Sequence, residues 1–369
     1  MTRHRPSLLP ALALLGVLAA GAAFLLRRER VASWIEMPST ELGRAGVIDE
    51  RAATRLFELQ RIGKEYAYDP VALLVMRPNL RMEWPWPEAE GGKLTMRTNA
   101  LGLREDEPTL AEKPGLRILV AGDSHTCGLI DNPKTFANRL EARLRTLPGR
   151  EALEVLNAGV GFTGPACYRG MLEKQLGLRP DVFVAVLYTG NDFFDALRMQ
   201  LLLDGRNPSW GEEAYRTRLT RAFELAEAAA SQGYNQAFRF KHFPAEPEPA
   251  LAAAIESFLR MQERCAEVGI QFLAVVLPTK MDVEPEDDSA LQEAARKVLE
   301  LTPEEAALNR TLGRRFAEAM SVAGVRCLDP LEAMRGAPHP LYWRRDYHLG
   351  DAGHALLAEL LFEELHASL

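Results

Sequence analysis

Five short apolar runs, at residues 118–121, 153–156, 182–187, 272–277 and 325–328, recur along the C-terminal two thirds of the chain. Between them the apolar positions adopt a helical period. Phe136, Leu140 and Leu144 fall on one face of one such segment, and further helices are predicted over about 250–268, 304–322 and 351–366. Near-continuous apolar strands alternating with amphipathic helices describe a parallel sheet covered on both faces. The expected fold is therefore α/β, a flavodoxin-like three-layer α/β/α sandwich around a five-stranded parallel sheet.

Two regions break this alternation. Residues 193–249 are helical in parts, around 222–230, and read as an insertion after the third strand, either a lid or a packing element. Residues 27–115 contain Met76-Arg77-Pro78-Asn79, Trp84-Pro85-Trp86-Pro87 and Asn99-Ala100-Leu101-Gly102-Leu103-Arg104. Such extended pieces broken by Pro and Gly suit a few strands laid against the main domain. The chain thus divides into a short tail (1–7), an apolar segment (8–26), a membrane-proximal extension (27–115) and a large domain (116–369).

Residues 8–26 carry no charge and are bracketed by arginines. A helix of this length spans about 28 Å, roughly the hydrocarbon thickness of a bilayer. A retained transmembrane helix is the preferred reading, because the apolar run continues past Ala20-Gly21-Ala22, whose small residues suit a cleaved signal peptide. Arg3 and Arg5 before the segment balance Arg27, Arg28 and Arg30 after it, so the positive-inside rule does not orient it.

Composition narrows the partners. With 47% hydrophobic residues and no repeat, the chain is a folded globular one. A net charge of −7 argues against nucleic acid. The four cysteines, Cys127, Cys167, Cys265 and Cys327, lack the spacing of a zinc site and read as buried free thiols, with a Cys127–Cys167 disulfide as the less favoured alternative. No phosphate loop or dinucleotide fingerprint follows the first strand, so neither a metal nor a cofactor is expected.

In an open parallel sheet, ligands bind beyond the carboxyl ends of the strands. At that edge lie Gly122-Asp123-Ser124 after the first run, Asn157-Ala158-Gly159-Val160-Gly161 after the second and Gly190-Asn191-Asp192 after the third. Far downstream, Asp346-Tyr347-His348 precedes the last helix. A serine hydroxyl at a strand end with a distant acid and imidazole is what acyl transfer on serine requires. Each residue also has a plainer role open to it. Ser124 could cap a helix and Asn191 could close a turn. His348 could be an exposed loop histidine, and His354 is expected to pack on the last helix. His125, Asp123 and Asp192 read as supporting residues.

Together, and in this order, the four blocks resemble those of the SGNH (GDSL-type) hydrolase superfamily over about 117–366, the insertion excluded. The resemblance implies Ser124 as nucleophile, His348 as general base and Asp346 as the acid that orients it. It implies an oxyanion hole made by the Ser124 amide, a glycine amide and the Asn191 side chain. Many members space the acid and base as Asp-x-x-His, a slot filled here by Arg345. The Asp-x-His spacing is similar to that of the alginate-type O-acetyltransferase branch. For the oxyanion glycine, Gly161 is favoured over Gly164. The resemblance implies a membrane-anchored esterase for acyl esters or acetylated glycans, its catalytic domain extracytoplasmic and its N-terminal helix in the lipid bilayer. O-acetyl transfer to an exported polysaccharide is the alternative, and a non-catalytic glycan-binding protein is a more distant one.

Overall fold

The computed structural model describes residues 65–113, 115–203, 212–286, 289–367 and 369. The apolar segment 8–26 and its flanks lie outside the described residues. Among the described residues no helix is long and apolar enough to cross a membrane.

Two antiparallel hairpins come first, β1 (Tyr66–Asp69) with β2 (Leu73–Met76) and β3 (Arg81–Pro85) with β4 (Lys93–Arg97). The main sheet follows: β5 (Arg117–Gly122), β6 (Glu154–Asn157), β7 (Val182–Tyr188), β8 (Gln271–Leu277) and β9 (Cys327–Leu328). All neighbours pair in parallel in the order β6-β5-β7-β8-β9, the flavodoxin-like order expected. Chain direction across the sheet reverses at β5, so the crevice beyond its carboxyl end is the natural ligand site.

Period-two alternation within buried strands builds the two cores. Leu119 and Ala121 of β5, with Phe183 and Leu187 of β7, face the helices Pro165–Gln175, Asp192–Leu203, Pro247–Glu267 and Leu308–Val322. Ile118 and Val120, with Val184 and Val186, face Phe136–Leu144 and Asp351–Leu365. Phe136, Leu140 and Leu144 are all buried, as their spacing predicts. The fifth run is shorter than expected. Only Cys327 and Leu328 pair with β8, while Val325 turns inward to the core at the sheet's edge. The second strand begins one residue late because the Leu153 N–H is taken by the Arg150 carbonyl in a turn.

The expected insertion contributes to two cores. Its first helix, Asp192–Leu203, belongs to the main layer through Phe193, Ala196 and Leu197. The remainder, Glu213–Ala229, a π-type turn Ala230–Tyr234 and Asn235–His242, forms a third cluster with Ala295, Leu299 and Leu301. Tyr347, from the predicted acid–base block, is buried in that third cluster. The four cysteines are free thiols, three of them buried.

Candidate active site

The backbone leaves β5 at Gly122 and turns at once into the one-turn helix Ser124–Cys127, capped by Asp123, whose Oδ1 accepts the His125 N–H at 2.8 Å. This cap holds Ser124 at the first helical position, where its N–H has no intrahelical acceptor. The turn must lie tight against the β6 loop. A Cβ on Gly159 would sit 2.3 Å from the Cys127 nitrogen, so only glycine lets the two backbones meet. At the other end of the turn the buried Arg104 guanidinium donates to the carbonyls of Cys127, Gly128 and Ile130. A cation there also complements the negative end of the turn.

The structure brings Ser124, His348 and Asp346 into one hydrogen-bonded chain. Ser124 Oγ lies 2.8 Å from His348 Nε2, and His348 Nδ1 lies 2.7 Å from Asp346 Oδ1. Asp346 Oδ1 also accepts the His348 backbone N–H at 3.0 Å, closing a local turn that the Asp-x-His spacing permits. A carboxylate can only accept from Nδ1–H, so the hydrogen-bond network assigns a bare Nε2 facing the serine hydroxyl. Burial lowers the His348 pKa, but the Asp346 charge, its hydrogen bond and the Asp123 charge outweigh it, so the net shift is upward.

The surroundings fix the imidazole in place. His125 stacks on His348 at 4.6 Å and on Tyr188 at 3.8 Å between centroids. Its Nδ1 accepts the Leu349 N–H at 3.3 Å, which leaves Nε2–H facing Gln232 Oε1 at 3.4 Å. Burial and the neighbouring His348 push the His125 pKa well down, so His125 is a neutral plate beside the His348 ring. Gln232 lies on the π-type turn of the insertion, where its carbonyl also accepts the Tyr188 hydroxyl at 2.6 Å. His354 is fully buried on the last helix and accepts the Phe136 N–H at 3.1 Å through Nδ1. It stacks on Phe136 and makes no contact with the serine, as expected.

Of the two candidate glycines, Gly161 lies beside the serine: a Cβ there would be 3.8 Å from Ser124 Cβ. Gly164 caps the Pro165–Gln175 helix and approaches Asp195 instead. Asn191 ends the turn after β7, the strand next to β5, and its buried Oδ1 has no hydrogen-bond partner among the described residues. No hydrogen bond joins Asn191 to Ser124. Asp123 and Asp192 sit behind the serine. Burial raises the Asp123 pKa to about 6, and burial with the Asp123 and Asp195 charges raises that of Asp192 well above the carboxylate range. Asp192 Oδ2 accepts the Tyr188 N–H and the Tyr168 hydroxyl, so it braces the Asn191 turn.

Several supporting residues have no motif to mark them. The loop carrying Asp346 and His348 is closed by a bridge between Tyr342 and Leu349. Glu88, from the region before the sheet, accepts the N–H groups of Arg344 and Arg345 at 2.7 and 2.9 Å. Glu284 accepts those of Leu341 and Tyr342. The Glu88 and Glu284 contacts join segments more than fifty residues apart, and only the folded chain reveals them.

A proton-accepting His348 requires its neutral form. If it is the base, the acidic limb of the kcat/KM profile should have its midpoint above the ordinary histidine value, following the upward shift. Asp346→Asn should lower activity by about 10³–10⁴-fold and move that limb to lower pH. A limb unmoved by Asp346→Asn would separate Asp346 from the titration of His348.

No protein-family model matches the chain, and no curated protein is similar to it. Among solved structures it is similar to a GDSL-like lipase from Bacteroides thetaiotaomicron, with 11% identity, TM-score 0.37 and coverage of 70% of this chain and 93% of that one. It is also similar to the acetyl xylan esterase AlAXEase, with 12% identity, TM-score 0.40 and coverage of 68% and 100%. A third is an acetylxylan esterase from Geobacillus stearothermophilus, with 14% identity, TM-score 0.39 and coverage of 69% and 96%. The likenesses carry no chemistry with them, which has to be read from Ser124, His348 and Asp346 themselves.

Proposed function

We propose that the protein is an SGNH-type serine esterase that cleaves acyl esters, acetyl esters of a glycan foremost, through an acyl-enzyme on Ser124. One observation carries this reading: the Ser124–His348–Asp346 chain, with both hydrogen bonds at 2.7–2.8 Å. Ser124 Oγ attacks the ester carbonyl while its proton passes to His348 Nε2. Asp346 stabilises the resulting imidazolium. The oxyanion is held by the amides of Ser124 and Gly161 and the Asn191 side-chain amide. Collapse breaks the bond to the alcohol, which leaves with the proton from His348. Water, deprotonated by the same imidazole, then attacks the acyl-serine. Collapse of this second intermediate breaks the acyl–Oγ bond as the proton on His348 returns to Ser124 Oγ, releasing the acid, and the chain needs no cofactor for any of these steps.

A sugar hydroxyl in place of that water would make the same site an O-acetyltransferase. The extracytoplasmic placement of the catalytic region and the anchoring role of 8–26 belong to this proposal; a topology reporter fused after Leu369 checks the placement, and fractionation with the membrane checks the anchor. The direct test of the chemistry is turnover of a chromogenic acetyl ester by the full-length chain, with an organophosphonate as covalent probe. Stoichiometric labelling of Ser124 that abolishes turnover is expected. A folded chain that neither turns over nor takes the label overturns the proposal.

A further inference from the structure

Phe162 directly follows the oxyanion-side Gly161. It holds φ at +62°, a left-handed conformation costly for an aromatic residue, and its side chain is not buried, with the residue 62% exposed. A large apolar ring in a strained backbone that gains nothing from the core is unusual. It does not stand alone. The Tyr66 ring, brought in by β1, meets Phe162 edge-on at 6.0 Å and 74°. The Tyr66 hydroxyl lies 2.6 Å from where a Cβ on Gly161 would be, and that same point is 3.8 Å from Ser124 Cβ. The Tyr66 hydroxyl therefore lies on the Gly161 side of the nucleophile, and the Phe162 ring packs against the Tyr66 ring next to it. Burial holds the Tyr66 pKa above its ordinary value, so the hydroxyl remains a donor at every pH of interest.

We propose that Phe162 and Tyr66 form a carbohydrate subsite, in which a pyranose ring of the substrate lies on Phe162 and accepts a hydrogen bond from the Tyr66 hydroxyl. The chemistry of the pair selects this class. A sugar ring offers an apolar C–H face to stack on an aromatic plane and hydroxyls at its rim to meet a phenol. A long acyl chain has no group for the hydroxyl, and it gains most from an enclosed apolar slot rather than a ring open to solvent. The subsite rests on the proposed function for its link to Ser124, but its occupation by a glycan needs no turnover. The two can thus fail separately.

The test is equilibrium binding of unacetylated xylohexaose and cellohexaose to the full-length chain by titration calorimetry. Saturable binding of at least one is expected, weakened about five- to tenfold in Phe162→Ala, in line with the loss of one stacked aromatic pair. Tyr66→Phe keeps the ring and removes only the hydroxyl, so it should weaken binding about threefold or more. No saturable binding to the wild-type chain, or equal binding by Phe162→Ala, overturns the subsite. In parallel, Phe162→Ala should lower the ratio of kcat/KM on an acetylated xylo-oligosaccharide to that on ethyl acetate by a similar factor. An unchanged ratio also counts against it. Glycan binding that persists in a chain without esterase turnover would sink the proposed function and leave the subsite standing.

Discussion

Ser124→Ala should reduce kcat on an acetyl ester by about 10⁴–10⁶-fold while leaving the thermal midpoint close to that of the wild type. The size follows from the chemistry. Without Oγ there is no acyl-enzyme, and the residual rate is what the oxyanion donors supply to direct attack by water. The small effect on stability follows from the cap. Asp123, not Ser124, closes the helix start, and the Ser124 backbone conformation suits alanine equally well. The hydroxyl's one strong partner is His348 Nε2, which water can satisfy at the mouth of the site. The measurement is burst and steady-state kinetics on purified protein beside its denaturation curve. A loss of less than about 10²-fold in a folded variant would mean that another group carries the reaction.

How much of this was legible before folding differs by element. The buried strands were plain, because residues 118–121 and 182–187 are apolar at every position, as strands covered on both faces must be. Ser124, His348 and Asp346 could be paired because each sits where the fold exposes polar groups, at strand ends or before the last helix. The edge strand is shorter than the apolar run 325–328, because an apolar run says nothing about whether a neighbouring strand is present to pair with it. No local pattern assigns Tyr66, Glu88, Arg104 or Gln232 to the site. Each reaches the site across a tertiary contact from a region whose local pattern reads only as an extension or insertion. Tyr347 is the clearest instance. It occupies the middle of the Asp-Tyr-His block, yet its left-handed φ of +67° and its burial among insertion residues are properties of packing alone.

That packing has a buried charge beneath it, and disturbing it should have the largest effect on stability. Lys280 and Glu284, one helical turn apart after β8, form an ion pair at 2.7 Å with side chains almost fully shielded from solvent. The Lys280 ammonium also lies 5.2 Å from the centre of the Tyr347 ring. Glu284 therefore ties the loop that carries Asp346 and His348 to the sheet in two ways, by holding Lys280 under Tyr347 and by accepting the Leu341 and Tyr342 N–H groups. Glu284→Gln keeps an oxygen for those N–H groups but replaces the carboxylate of the pair with a neutral amide that turns a donor toward the ammonium. Breaking one side of a buried pair in this way costs about 3–5 kcal/mol. Lys280→Met together with Glu284→Gln removes both members of the pair and should be more stable than the single variant. Chemical denaturation of the wild type, the single variant and the double variant decides it, with kcat recorded alongside. A single variant within about 1 kcal/mol of the wild type, or a double variant less stable than the single one, would show that the pair does not hold the loop.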